Sequence, residues 1–270
     1  MNTQNQTSTS DLKTKITEHI EQLARETDNA RVSKEMLHYL DMCSRFHQYS
    51  PFNVWLILME KPDATMVAGF HRWITMKRFV CKGERGITIL APVLIPEQND
   101  DGIQIEKLVG FKTVYVFDIS QTDGEPLPEP PNWKSPEKNA ELMNKLTRLA
   151  QDKGIQIQVK HIGRDIQGVS IGGKIIVDPE AGTKTLIHEI AHELLHHKEN
   201  VLTDRTTREL EAESVAYVVG KHFGLDSLTS PNYNALHGAS ADLILGHLER
   251  IRNTSAEIIQ ALEVEDISTI

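Results

Sequence analysis

An α+β chain of two domains is what the sequence predicts, and three observations predict it. Residues 11–122 run from amphipathic helical patterns into short alternating strands. An acidic, proline-rich stretch, Asp123–Pro131, interrupts both patterns. Beyond it a second mixture of helix and strand leads to two helices that carry clustered His and Glu. The expected layout is a disordered polar stretch at 1–10, an N-terminal domain at 11–122, a linker at 123–134 and a C-terminal domain at 135–270. With 270 residues, 39% of them hydrophobic and 25% charged, the chain is long enough for two modest cores.

In the N-terminal part, Leu12, Ile16, Ile20 and Leu23 recur on one face of a helix from Asp11 to about Glu26. Met36, Leu37, Leu40, Cys43 and Phe46 mark a second helix, Ser33–His47, which Ser33 can cap. Pro51 suits the first position of a third. Lys82–Gly86 reads as a turn before a strand over 87–95, in which Pro92 signals an edge or a bend. The polar cluster at 98–102 reads as a hairpin turn, and 108–117 as the returning strand. The N-terminal domain is therefore expected as helices followed by a small antiparallel sheet.

After the linker, Pro136 opens a helix to about Asp152 that buries Leu142, Leu146 and Leu149. Residues 155–162 alternate as a half-buried strand, and Gly172-Gly173 turns a hairpin between 169–171 and 174–178. Two helices carry the clustered His and Glu, the second at Thr206–Phe223. A loop at 227–234 precedes a long helix with Leu243, Ile244, Leu248 and Ile251, then a further stretch to about Glu263.

The first of those two helices contains His188-Glu189-Ile190-Ala191-His192. Residues four apart lie on one helical face, so both imidazoles reach one metal ion, while Glu189 can take a proton from a metal-activated water. The apolar residues around them, Leu186, Ile187, Ile190, Ala191, Leu194 and Leu195, mark a packed helix in which polar groups need partners. A catalytic Zn2+ needs a third protein ligand and an open position. Glu209 is the expected third ligand, with Glu213 one turn on accepting from a ligand histidine; Glu213 as the ligand is the alternative. Glu211 points roughly 200° away from Glu209. His196 and His197 read as solvated, and His237 and His247 as packing or surface residues. Tyr217 and His222 are open as oxyanion stabilisers.

Residues 71–86 hold Arg72, Lys77, Arg78, Lys82 and Arg85 against Glu84, interleaved with Trp73 and Phe79 and preceded by Phe70. Basic groups that track phosphates, alternating with rings that stack on bases, are the chemistry of single-stranded nucleic-acid binding. The same spacing suits an amphipathic helix with its rings in the core. The chain's net charge of −9 argues against a broad duplex-DNA field, though not against a local basic patch. Two cysteines, Cys43 and Cys81, form no disulfide framework and suggest a reducing, cytoplasmic setting; no stretch is apolar enough to span a membrane.

His188-Glu-Ile-Ala-His192 with Glu209-Leu-Glu-Ala-Glu213 resembles the gluzincin pattern, H-E-x-x-H followed by E-x-x-x-D/N/E, and is closest to metallopeptidases of the ImmA/IrrE type. The resemblance implies a zincin-like C-terminal domain and one Zn2+, with Mn2+ or another divalent metal able to replace it in vitro. Ser50-Pro-Phe-Asn53, Val67-Ala-Gly-Phe70, Trp73, Lys82-Gly-Glu-Arg-Gly-Ile87 and Val116-Phe-Asp-Ile-Ser-Gln-Thr122 resemble the N-terminal domain of ArdC antirestriction proteins. Lys77 departs from a glycine common in relatives. The family resemblance implies single-stranded DNA as partner, protection of incoming DNA from host restriction during conjugation, and Phe52, Asn53, Phe70, Arg72, Trp73, Lys77, Arg78, Lys82 and Arg85 as the DNA-binding set. A peptide substrate and a host restriction or regulatory protein are further partners it allows. Two alternatives stand beside it, a DNA-binding protein whose zinc domain is structural or regulatory, and a DNA-responsive protease acting on a host regulator.

Overall fold

The computed structural model describes residues 8–26, 29–98, 104–127, 136–163, 166–197, 204–225, 228, 231, 233 and 238–267. Residues 1–7, turn residues 99–102, linker residues 128–134 and His237 lie outside the described residues. The chain forms two compact units, Met1–Ile20 with Phe52–Pro128, and Glu21–Pro51 with Glu129–Ile270. Residues 21–51, expected in the N-terminal domain, are thus built into the unit that carries the His and Glu cluster.

In the first unit, helix α1 (Thr9–Arg25) supplies the buried Leu12, Ile16 and Ile20. Helix α3 (Pro51–Glu60) is apolar on nearly every side and is buried through Val54, Trp55, Leu56, Ile57 and Leu58. Strands β1 (Val67–Gly69), β3 (Ile87–Gln98) and β4 (Gln104–Asp118) form an antiparallel sheet in the order β1-β4-β3. Pro92 and Pro96 fall on β3, an edge strand, where a missing N–H breaks no ladder. Two side chains of α3 cover that edge. Asn53 accepts from the Leu90 N–H and donates to its carbonyl, each at 2.8 Å, and Glu60 accepts from the Thr88 N–H at 3.0 Å.

The basic stretch that spacing alone allowed as one amphipathic helix divides into two elements. Helix α4 (Phe70–Thr75) ends in a turn in which Lys77 has a φ of 56°, and strand β2 (Arg78–Val80) then pairs with β5 (Thr122–Gly124). Lys77 thus occupies the left-handed region where a glycine would be free of strain. The facing Gly124 is required by contact, since a Cβ there would lie 2.3 Å from the Lys77 carbonyl oxygen. β5 also extends the folded N-terminal chain into the residues expected to begin the linker.

Asp118 ties this unit together. Its buried carboxylate accepts from the backbone N–H groups of Thr65, Met66 and Ser120 at 2.8, 3.0 and 3.0 Å. Gln121 answers by accepting from the Asp118 N–H and donating to Glu84 and to the Arg85 carbonyl. Burial alone would raise the Asp118 pKa, but the backbone donors outweigh it and hold the carboxyl below its ordinary value.

The second unit is helical around one small sheet. Helices α2 (Asn29–Arg45), α6 (Thr183–His196) and α8 (Ala241–Ile267) all pack on α7 (Arg205–His222). Ala212, Val215, Ala216, Val218, Val219 and Gly220 of α7 are buried. α8 is continuous through Ile251 and Leu262, where the sequence pattern suggested a break. Helix α5 (Pro136–Asp152) packs on α6, α8 and strand β6 (Gln156–Val159). β6 pairs in parallel with β8 (Lys174–Val177), and β7 (Gly168–Ser170) closes the hairpin with β8 and leaves its other side open among the described residues. No helix among the described residues is long and apolar enough to cross a membrane.

Two outcomes follow for the first unit. Asp118→Asn should cost about 1–3 kcal/mol, because an amide cannot accept all three backbone donors. The carboxylate's contribution is present above its unfolded pKa near 3.8 and lost as pH falls below that value, so in chemical denaturation the variant and the parent should converge in acid. Lys77→Gly should leave the melting temperature unchanged or raised, whereas Lys77→Val should lower stability by roughly 1–2 kcal/mol.

Candidate functional site

α6 and α7 place the His and Glu cluster within the second unit. α7 begins at Asp204, whose side chain accepts from the Thr207 N–H at 3.1 Å and its hydroxyl at 2.7 Å. His188 Nε2 and His192 Nε2 lie 3.0 Å apart, with Glu209 Oε2 at 3.5 and 3.6 Å from them. The three residues offer ligand atoms all within 4.8 Å of one another. Ligands at zinc distances of about 2.0–2.2 Å in a tetrahedron stand roughly 3.3–3.5 Å apart, so this triangle has the right size for such an ion.

Glu213 stands on the other side of His188. Its Oε2 is 3.3 Å from His188 Nδ1, while its Oε1 accepts from Lys184 Nζ at 2.6 Å. Glu209 therefore faces both Nε2 atoms and Glu213 faces the rear of one ring. Burial alone would lower the His188 pKa, but Glu213, Glu189 and Glu209 carry it above its ordinary value. Burial, then the charges of the neighbouring histidines and Arg208, pushes His192 down to about 3, which keeps that ring neutral.

Glu189 is buried beside β7. A Cβ on Gly168 would lie 2.8 Å from its Cγ and Oε1, so the glycine makes room for the carboxylate. Burial raises the Glu189 pKa; His188 opposes this and Glu209 adds to it. A raised carboxyl pKa brings a base closer to neutral pH, where proton transfer is efficient. The next turn of α6 anchors the strand itself. The buried Glu193 accepts from the Ser170 hydroxyl at 2.7 Å and from the Gly172 and Gly173 N–H groups at 3.0 and 2.7 Å. A cavity of about 510 Å³ opens over the cluster, with Ile162, Ile166, Val169 and Ser170 on one side and Arg205 and Arg208 on another. That volume is in the range of small-ligand pockets.

His196, read as solvated in the sequence, instead opens a buried polar cluster with Glu211 and His247. His196 is 2% exposed in its side chain rather than solvated, and its Nδ1 lies 3.0 Å from His192 Nδ1. Its Nε2 is 2.9 Å from Glu211, a carboxylate with no exposure to solvent. His247 Nδ1 and Arg250 Nε meet the same carboxylate at 2.8 and 3.0 Å. The signal for His196 was present, because 188, 192 and 196 form one stripe of α6; nothing in the sequence pairs it with His247 or Arg250. Tyr217 donates to Asp41, and His222 contacts the Ser44 carbonyl and Glu263, so both are engaged away from the cavity.

In the first unit the residues expected to bind DNA separate into two groups. Trp73 is 0% exposed and donates its indole N–H to the Phe117 carbonyl at 2.9 Å, so it cannot stack on a base. Asn53 is committed to the backbone of Leu90. Arg78 spends its guanidinium on the Thr122 hydroxyl and carbonyl and on the Glu125 carbonyl. These three engagements share one cause: each group pairs with backbone or hydroxyl groups that only folding brings near. Phe52 is half-buried. Phe70, Arg72, Lys77, Phe79, Lys82 and Arg85 remain exposed, and Lys77 forms an exposed ion pair with Glu125. Tyr115, exposed on β4 beside Gly86, is an aromatic that the sequence reading did not single out.

Titration of the purified chain with Zn2+ should give one site. His188→Ala and His192→Ala should abolish binding, and Glu209→Gln should weaken it more than Glu213→Gln, whose loss should be about 10–100-fold. The reverse order of the two glutamates would make Glu213 the ligand.

Residues 6–117 match the N-terminal domain of anti-restriction factor ArdC. An uncharacterized protein of Bacillus anthracis is 28% identical over 242 residues, covering 72% of this chain; the chain spans only 41% of that relative's length. The metal-free crystal structure of the antirestriction ArdC protein from plasmid R388 has a similar fold. Its TM-score is 0.50, with 19% identity, over 81% of this chain and 84% of that one. A Mn(II)-bound structure of the R388 protein aligns with a TM-score of 0.46 and 18% identity over 80% and 83% of the two chains. Residues 6–117 thus match the ArdC N-terminal domain, and the chain shares its fold with the R388 protein.

Proposed function

We propose that this chain is a metal-dependent peptidase joined to a single-stranded-DNA-binding domain, and that it serves antirestriction as the ArdC match suggests. One observation carries the hydrolytic reading. His188, His192 and Glu209 converge at metal-ligand spacing, with the carboxylate of Glu189 buried beside an open strand and a cavity. Zn2+ held by these three residues would supply Lewis acidity, polarising a scissile carbonyl and acidifying water. Glu189 would accept the proton of the attacking water and return it to the leaving amine. Glu193, by holding the turn after β7, keeps that strand in place for an extended peptide to pair along it.

The DNA reading rests on the exposed set. Phe70 and Phe79, the latter 60% exposed, are available for base stacking, and Arg72, Lys82 and Arg85 for phosphates. Lys77 can exchange its exposed partner Glu125 for a phosphate at small cost.

Fluorescence anisotropy of the full chain should show a preference for single-stranded over matched duplex oligonucleotides, weakening with salt. Phe79→Ala should lose about 1–3 kcal/mol of that binding with the fold intact, whereas Trp73→Ala should lose stability first. Equal affinity for both forms would reject the DNA half of this reading. Glu189→Gln should retain Zn2+ while losing roughly 10²–10⁴-fold in hydrolysis of an unfolded protein substrate. Full antirestriction by that variant in cells would leave DNA binding as the active part.

A further inference from the structure

The polar column behind His192 has a consequence for the metal-binding reading, on which it rests. His196 is almost wholly enclosed and Glu211 wholly so, and both meet protein partners at hydrogen-bond distance. Glu211 Oε1 faces Arg250 Nε, a group that can only donate, so the carboxylate is the acceptor of this cluster. The ring nitrogens that touch it, His196 Nε2 and His247 Nδ1, are therefore donors. With its proton on Nε2, His196 presents Nδ1 as an acceptor to His192, 3.0 Å away. In that tautomer His192 Nδ1 carries the proton and donates it. Its Nε2 keeps the lone pair, and that is the nitrogen facing His188 and Glu209.

We propose that His196 and Glu211 are positioning residues that fix His192 in its metal-ready tautomer and ring orientation, with His247 and Arg250 holding Glu211 in place. The arrangement differs from a carboxylate placed directly behind a ligand histidine, the role in which Glu213 stands behind His188. Behind His192 a second imidazole is interposed, so the charge that orients the ring lies one residue farther from the metal. Arg250 also donates to the Leu195 carbonyl at 2.8 Å, which fixes the column to the last turn of α6. α6, α7 and α8 each contribute to setting one ligand nitrogen.

The test uses the full chain, stripped of metal and titrated with Zn2+ against a chromophoric chelator. His196→Phe keeps the ring volume and removes the acceptor; it should weaken Zn2+ about 10–100-fold. His196→Asn sets an amide oxygen near the place of Nδ1 and should recover most of that loss. The melting temperatures of the two metal-free variants should agree, which separates positioning from general packing. Ring 15N spectra of the unaltered metal-free protein should show His192 protonated at Nδ1. Unchanged Zn2+ affinity in His196→Phe, or His192 protonated at Nε2, would overturn the proposal. If the unaltered protein takes up no Zn2+ at all, the metal reading itself fails and the positioning role falls with it. A loss confined to His196→Phe leaves both standing.

Discussion

A carboxylate with no contact to solvent governs the second unit. Glu211 sits at the centre of α7 and would be prohibitively costly as an unpaired charge in an apolar interior. It is tolerated because α6 and α8 bring His196, His247 and Arg250 to it, each within 3.0 Å. Burial would raise its pKa, but those hydrogen bonds and the guanidinium hold the carboxyl down at about 2. These partners tie α6 and α8 to α7 in the observed register. That register also sets Glu209, two residues earlier on α7, opposite His188 and His192. A polar core network of this kind specifies one arrangement of helices where apolar packing alone would tolerate several.

The site on top of that frame shows the same economy. On α6, His188 and His192 face the candidate metal position, Glu189 turns toward Gly168, and Glu193 reaches under the β7–β8 turn. One helix thus supplies two ligand candidates, one base candidate and one clamp on the neighbouring strand. The close approach of Glu189 to the strand depends on the missing side chain at Gly168. The base is consequently placed by backbone as much as by its own rotamer.

In the first unit the basic and aromatic residues serve two ends. Trp73, Asn53 and Arg78 close the fold, each by pairing with main-chain atoms of a sequence-distant strand or edge. Phe70, Phe79, Arg72, Lys82 and Arg85 stay at the surface. The motif residues around Asp118 and Gln121 are explained by structure alone, since they join β1, the turn before β3 and the end of β4 through buried hydrogen bonds. A stretch of basic and aromatic residues therefore contains groups that maintain the domain as well as groups left at the surface.

Local pattern was enough to read the α+β class, the helices and the His-Glu-x-x-His turn, because period 3.6 and period 2 are properties of neighbouring residues. The choice between Glu209 and Glu213 required the rotation of α7 against α6. Placing residues 21–51 with the second unit required tertiary contacts such as Tyr217 with Asp41. The same is true of the burial of Trp73, which a basic-aromatic spacing leaves open, and of Glu211, whose partners lie 15, 36 and 39 residues away. The sequence by itself determined which groups could ligate, accept a proton or stack. Tertiary structure decided which of them are spent on the fold, because a hydrogen bond or a buried charge is defined by its partner, and those partners are distant in the chain.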